Sequence, residues 1–577
     1  NKSGLFTTSD SGSQTITLKN SESNTGYGLL AFPLGDEQLV KINLENTTLN
    51  ATQALISLND KNFPLEAEDD DASNSTPAGV YHLNLTASKN SKLTGAILEN
   101  PDWPVKNEIN LSMSNSQWSF NKSSTLNNLD ANSSDITFTP TSEYKTLTIK
   151  DNLTGSSTFN LNTNIAENKS DKIVVKGTAE GNHKIGVTNQ GANVANGKVT
   201  LVETNGGNAA FSLTNPNNRV DLGAYQYFLT KEGNNWVLAN SQKVLDSTSS
   251  VESSNVTTNT ESINSTVPSR SVATSNSATT NFSSLPHNTL LSDLANAQVS
   301  LRQAQLLLVE DDLNGIHQRL GEVKNGEKGN VWVRNVNSRQ KVAALSTGES
   351  ETSGFKQNVH SVQVGADAAV TDNLRVGGFV GRSQANVDFN GHYGDGKVRS
   401  NSVGLYAAYL ADNGIYVDNI VKYSRLHANS NYTEKRHYNA YTISSELGKR
   451  FSLVNDWTIT PQAQLAWTHI SSQENEDSLS SVYSRIGLRV AKGFALSNGW
   501  NLQPYAEVNA ITSKNRSSKI HYTNSALDVA SSRGRFESAV GLNAGFANHR
   551  FGLEVSRADG KNFDKPYAIQ AVYRYQW

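Results

Sequence analysis

The sequence closes on Tyr567 to Trp577, YAIQAVYRYQW. Counted back in twos from Trp577, the residues Tyr575, Tyr573, Ala571, Ile569 and Tyr567 share one parity. Gln576, Arg574, Val572, Gln570 and Ala568 share the other. A period of two with unlike faces is the pattern of a β-strand. A final strand of this kind, aromatic on one face, suits one that closes a sheet against its first strand and shows an edge to whatever inserts it. Ile569, Tyr573, Tyr575 and Trp577 are the candidate insertion signal.

The same split recurs upstream. Val362, Val364, Ala366, Ala368 and Val370 alternate with Gln363, Gly365, Asp367 and Ala369, and Trp457, Ile459, Pro461, Ala463, Leu465 and Trp467 oppose Thr458, Thr460, Gln462, Gln464 and Thr468. Trp500, Leu502, Pro504, Ala506 and Val508 oppose Asn501, Gln503, Tyr505, Glu507 and Asn509. From Gly329 onward the chain divides into about twelve such segments, and an even number of long alternating strands with a polar opposite face marks a membrane barrel. Closure gives every backbone N–H and C=O a partner in lipid. Aromatics near segment ends (Tyr406, Tyr409, Tyr416, Tyr423, Trp457, Trp467, Trp500 and Tyr567) read as interface residues. Gly377, Gly381, Gly404, Gly448, Gly487, Gly541, Gly545 and Gly552 lie on the lumenal parity, where they leave room.

Composition narrows the rest. A net charge of −3 with 18% charged residues excludes a polybasic nucleic-acid binder. Zero cysteines in 577 residues exclude a disulfide scaffold, a thiol nucleophile and a Cys-ligated zinc site. No apolar run approaches the roughly 20 residues of a membrane-spanning helix. The opening NKSGLFTTSD is not a signal peptide and lacks an initiator Met, so the chain reads as the C-terminal portion of a longer precursor.

Residues 1–244 are rich in Asn, Ser and Thr, with short strands such as YKTLTIKD, DKIVVKG and KVTLVET between turn residues. This favours a parallel β-helix over a sandwich. Residues 245–286 hold too few large apolar side chains for a core and read as a flexible linker. Within 287–328, Leu306, Val309, Leu313, Ile316, Leu320 and Val323 repeat at spacings of three and four, the stripe of one helix. Taken alone, that stripe is an ordinary coiled-coil or core helix.

Several of these stretches resemble the C-terminal part of monomeric (type Va) autotransporters. MSNSQWSFNKSSTLNNL from Met113 and YKTLTIKDNLTGSSTFNLNTNI are similar to a pertactin-type passenger end. DKIVVKGTAEGNHKIGV and VDLGAYQYFLTKEGNNWVL resemble the autochaperone closure, over about residues 140–244, with Tyr225, Tyr227 and Trp236 at its core. QRLGEVKN before GNVWVRN, then NGIYVDNIVKY, PQAQLAW and YRYQW, resemble the landmarks of the β-domain. The resemblance implies an all-β chain: a right-handed parallel β-helix passenger segment, a linker, one pore helix and, over 329–577, a 12-stranded antiparallel transmembrane β-barrel. It implies secretion of the passenger to the cell surface, where it acts as an adhesin or virulence factor. Its implied partners are outer-membrane lipid, the barrel-assembly machinery, periplasmic chaperones and a host-surface ligand. The chain is expected to be a monomer, with no nucleic acid, metal or cofactor. The alternative is the same translocator carrying a serine protease whose catalytic domain lies upstream. A trimeric adhesin fits less well, since its anchor takes only a few strands from each chain.

In some relatives the pore helix is cut by an intramolecular reaction of an Asn assisted by lumenal acids. Asp418 and Glu446 match two of those acidic positions, whereas Gln464 stands at the third. Asp311, Asp312, Leu313 and Asn314 stand where an Asn pair is expected. A structural network of Asp418 and Glu446 with Lys422, Arg450, Arg485 or Arg489 is the other reading. The stretch from Thr8 to Ser13, TSDSGS, resembles a protease GDSG motif but lacks its His and Asp partners. The histidines, among them His183, His287, His317, His360, His392, His427, His437 and His469, show no metal-ligand spacing.

Overall fold

A computed structural model describes residues 3–7, 12–33, 37–58, 79–100, 102, 106–192, 194, 197–240, 291–322, 324–523, 525–530 and 534–577. The linker expected over 245–286, Thr8 to Ser11 of the protease-like stretch and Val323 lie outside the described residues.

The N-terminal region is a parallel β-helix. Strand partners are commonly 26 residues apart, as in Thr17 against Asn43, Asn84 against Asn110 and Phe159 against Ile185. Parallel stacking of this kind rules out the sandwich. Alternate residues such as Leu83, Ile109, Leu129 and Phe159 enter one core. The asparagines have a matching use on the outer faces, where the amide of Asn46 donates to Asn20 (2.8 Å), Asn50 to Asn24 (3.1 Å) and Asn128 to Asn110 (2.8 Å). Stacked identical amides satisfy one another coil after coil. The helix ends in antiparallel strands Lys198–Thr204, Asn235–Ala239, Tyr225–Glu232 and Arg219–Leu222, which take the place of an open parallel edge.

The C-terminal region is a closed antiparallel barrel of 12 strands: β1 Gly329–Val342, β2 Phe355–Ala369, β3 Leu374–Phe389, β4 Asp395–Leu410, β5 Ile415–Ser430, β6 Arg436–Lys449, β7 Trp457–Ile470, β8 Leu479–Lys492, β9 Trp500–Asn515, β10 Arg535–Phe546, β11 His549–Gly560 and β12 Phe563–Gln576. Closure is made by β1 against β12, with Val331 opposite Tyr575 and Val333 opposite Tyr573. At the end holding Trp577 the connections are short, as at 370–373, 411–414 and 547–548. At the other end they run longer, at 343–354, 471–478 and 516–534, as on the surface side of outer-membrane barrels.

Leu405 (68%), Ile486 (69%), Val540 (62%) and Val380 (59%) stand exposed on the outside, an apolar belt that only lipid makes favourable. Two of the aromatics read as interface residues instead face the lumen. Tyr406 and Tyr416 are buried, because their hydroxyls donate to Asp367 (2.6 Å) and Glu446 (3.0 Å). The lumenal glycines do leave room, but rings from neighbouring strands take it up: Tyr406 lies over Gly377, Tyr416 over Gly448 and Tyr505 over Gly541.

The pore helix is α1, Asp293–Asp311, N-capped by Ser292, whose hydroxyl accepts from the Ala295 N–H (3.1 Å). After Asp312–Gly315 comes a single turn, α2, Ile316–Leu320. Leu313 falls in that break, so the stripe from Leu306 to Leu320 is not one face of one helix. Every residue from Ala295 to Glu310 is buried, polar ones included, since the barrel surrounds α1 on all sides. Nor is the lumen polar throughout. Toward the long-loop end Phe355, Val359, Val387, Phe389 and Leu426 point inward and pack with Leu301, Leu306 and Leu308 in one cluster. The helix starts against the β-helix cap: Arg219 pairs with Asp293 (2.9 Å), and Tyr225 bridges Leu291.

Candidate functional site in the barrel lumen

The polar half of the lumen meets the C-terminal end of α1. A helix C-terminus carries partial negative charge, so Glu310, Asp311 and Asp312 there are unfavourable without cations. The barrel wall supplies them. Lys565 pairs with Asp311 (2.8 Å), and Lys422 lies 3.5 Å from Asp312 while donating to the Val309 carbonyl (3.1 Å). Asp312 also accepts from Ser361 (2.7 Å), Gln363 (3.0 Å) and Ser402 (3.3 Å). Ser513 donates to Glu310 (2.6 Å).

The break itself is held by Arg319 of α2. Its guanidinium pairs with Asp418, donates to Asn314 Oδ1 (2.5 Å) and lies 4.0 Å from the Tyr406 ring centre. Asp418, read as a possible helper in cleavage, therefore binds a cation of the plug. Glu446 accepts from Tyr416 and lies 3.4 Å from Arg485, which is itself 3.4 Å from Glu507. Gln464 stays in this network as an acceptor from Arg485 (3.0 Å) and a donor to Ser444 (2.9 Å).

For Asn314 to cut the chain after itself, its Nδ2 must reach its own carbonyl carbon. Here Nδ2 donates to Gln363 (3.1 Å) and Oδ1 is held by Arg319, so both ends of the amide are engaged. One feature points the other way. Glu446 Oε2 has no hydrogen-bond partner among the described residues, and a Cβ on Gly315 would sit 2.9 Å from it.

The other residues singled out in the sequence lie at two further places. Ile569, Tyr573, Tyr575 and Trp577 line the outer face of β12, and the Trp577 backbone pairs with Gly329. Tyr225 and Tyr227 are buried in the β-helix cap, where Tyr227 donates to the Val194 carbonyl (3.0 Å), and Trp236 packs edge-on to Phe211 at 5.7 Å. Among the described residues no group of His, Cys, Asp and Glu is arranged to hold a metal ion.

Sequence reading missed Arg319 and Lys565. Arg319 carried a signal, a cation flanked by apolar residues in a helix bound for a pore. Lys565 carried a misleading one: parity counted from Trp577 places it outside. The ladders of β12 shift register between Arg339 and Lys341 and between Ser556 and Ala558, and this bulge turns Lys565 inward.

Residues 331–556 match the family model described as Autotransporter beta-domain, and residues 111–240 match the model described as Pertactin. The BrkA autotransporter of Bordetella pertussis is 28% identical over 76% of this chain and 41% of that protein. The Pertactin autotransporter of Bordetella bronchiseptica is 28% identical over 81% of this chain and 53% of that protein. The solved β domain of the Bordetella autotransporter BrkA is 26% identical, covering 44% of this chain and all of that one, with a TM-score of 0.37. The chain spans about half the length of the curated relatives it matches. It belongs to the autotransporters, with an outer-membrane β-barrel and a pertactin-like β-helical passenger exposed at the cell surface.

Proposed function

We propose that the barrel anchors this chain, supports translocation of its own passenger and afterwards keeps α1 as a seated plug, while the passenger acts outside as an adhesin. The observation that carries the translocation reading is the contact of the β-helix cap with Leu291 and Ser292, at the start of a helix that fills a closed barrel. Such a helix lies where a passing chain would come to rest. The adhesin reading rests on the amide ladders of the outer coils, which offer a long, repeating surface for recognition. A protease passenger is not favoured, since the matched passenger end is of pertactin type. Insertion through the barrel-assembly machinery, reading the edge from Ile569 to Trp577, belongs to the same proposal. So does escort by periplasmic chaperones. For the lumenal acids we propose a holding role, because Asp418 is bound to Arg319 and Asn314 is engaged at both ends.

The test places the chain behind a signal peptide in an outer-membrane-bearing host and treats whole cells with external protease. Loss of the passenger with survival of a protected fragment of about 30 kDa is expected for a compact barrel. Protection of the passenger, or digestion of both parts together, refutes the translocation reading. Size before protease reports on cutting at Asn314. The same cells, against cells displaying the barrel alone, should attach to host cell layers several-fold better, and equal attachment refutes the adhesin reading.

A further inference from the structure

On the outside of the barrel, the apolar belt stops abruptly on one side. Val376 and Val380 of β3 lead up to Arg382, Leu405 and Val403 of β4 to Asn401 and Arg399, and Val421 and Tyr423 of β5 to Arg425 and His427. Cross-strand register sets Arg382 opposite Asn401 and Asn401 opposite Arg425. The two guanidinium-bearing positions are thus two strands, about 10 Å, apart with a carboxamide between them. One row higher, Gln384, Arg399, His427 and His437 stand side by side.

From the upper row outward, Arg399, His427, Lys397 and Lys435 line a groove of about 640 Å³ with Asn386 and Asn429, and Asp388 and Asp395 also line it. Among the described residues, none of Arg382, Lys397, Arg399, Arg425 and Lys435 makes an ion pair with a carboxylate. The far wall differs at this height. Arg557 of β11 is already paired with Asp559 (2.9 Å), and β10 shows an exposed Phe536. Outward lysines also stand singly at the rim elsewhere, as Lys356 of β2 and Lys514 of β9, but the two stacked rows of arginine and histidine lie on β3–β6.

Arginines without carboxylate partners, one step above hydrocarbon, favour an anion that arrives attached to acyl chains. Phosphate matches the guanidinium fork, and a lipid adds contact with the belt below. We propose that the outer face of β3–β5, at the passenger-side rim, binds the phosphate-bearing headgroup of a membrane lipid, its chains lying along Val380, Val403 and Val421.

The test uses the full chain folded in neutral detergent and titrated with bisphosphorylated lipid A, with bound lipid counted by native mass spectrometry. Arg382→Ala/Arg399→Ala/Arg425→Ala should weaken binding about 100-fold, given three lost charge contacts. Lys514→Ala/Arg557→Ala on the far wall should not change it. Heat-modifiable gel mobility verifies that each barrel is closed. Should the triple variant not fold, single Arg→Gln changes are expected to show several-fold losses each. Dephosphorylated lipid of the same acyl composition should bind no better than the triple variant. Equal binding of that lipid, an unaffected triple variant, or full competition by millimolar inorganic phosphate overturns the proposal, the last by making the ligand a free anion. Display of the passenger is scored separately on cells, so loss of lipid binding and loss of secretion are read apart.

Discussion

Replacing Arg319 with Met keeps most of the side-chain volume in the lumen and removes the charge. Asp418 is then left buried and unpaired, Asn314 loses its donor, and the cation over the Tyr406 ring is gone. The two side chains are 0% and 1% exposed, so this is a buried pair, and breaking one from a single side costs about 3–5 kcal/mol. The loss falls on the seated state of α1 and α2, because an unseated plug would leave both partners to water. At 1.4 kcal/mol per tenfold, the unseated population should rise by about 10² to several times 10³. Purified protein in planar bilayers reads this directly as time spent in a high-conductance state. The double variant Arg319→Met/Asp418→Asn has no uncompensated charge and should close most of the gap to the wild type. A single variant as quiet as the wild type, or a double variant as leaky as the single, refutes the view that this pair holds the plug.

Three further outcomes are expected. His183 lies between the Phe159 and Phe211 rings with its Nδ1 accepting from the Ser157 N–H (3.3 Å), and burial holds its pKa below the ordinary 6.5. The unfolded chain then binds more protons, so passenger stability is full above about pH 6.5 and falls as pH drops below it toward the folded pKa. Protease resistance of the displayed passenger from pH 7.5 to 5 tests this, and His183→Phe, which keeps the ring stack, should flatten the dependence. Gly181 has φ +94°, and a side chain there would overlap the Gly155 carbonyl. Gly181→Val should therefore cost several kcal/mol and make the passenger protease-sensitive at neutral pH, with the barrel still heat-modifiable. Tyr573→Ala/Trp577→Ala should lower the yield of closed barrel several-fold in cells, scored by heat-modifiable mobility, if the aromatic edge of β12 is what insertion reads.

The sequence by itself determined the face of nearly every barrel residue that alternation reached. Lipid outside and a filled lumen inside impose a period of two that local composition records, so Asp418, Glu446, Lys422, Arg485 and the lumenal glycines were legible without coordinates. It also favoured the β-helix over a sandwich, because each coil must bury a few aliphatic residues and satisfy its turns with Asn and Gly, but only the parallel stacking of strands 26 residues apart decided between them. What each inward residue meets depended on the tertiary structure. Tyr406 and Tyr416 read as interface aromatics until their hydroxyls met Asp367, two strands away on β2, and Glu446 on the neighbouring β6. Lys565 carried the wrong parity because a bulge adds one residue to a ladder, which leaves no mark in composition. The helix stripe was real in sequence and irrelevant in space, since a helix enclosed by a barrel has no solvent face to distinguish. Pairing across a closed sheet and around a central helix joins residues up to 254 positions apart, as Asp311 to Lys565, and a local pattern does not encode which of them touch.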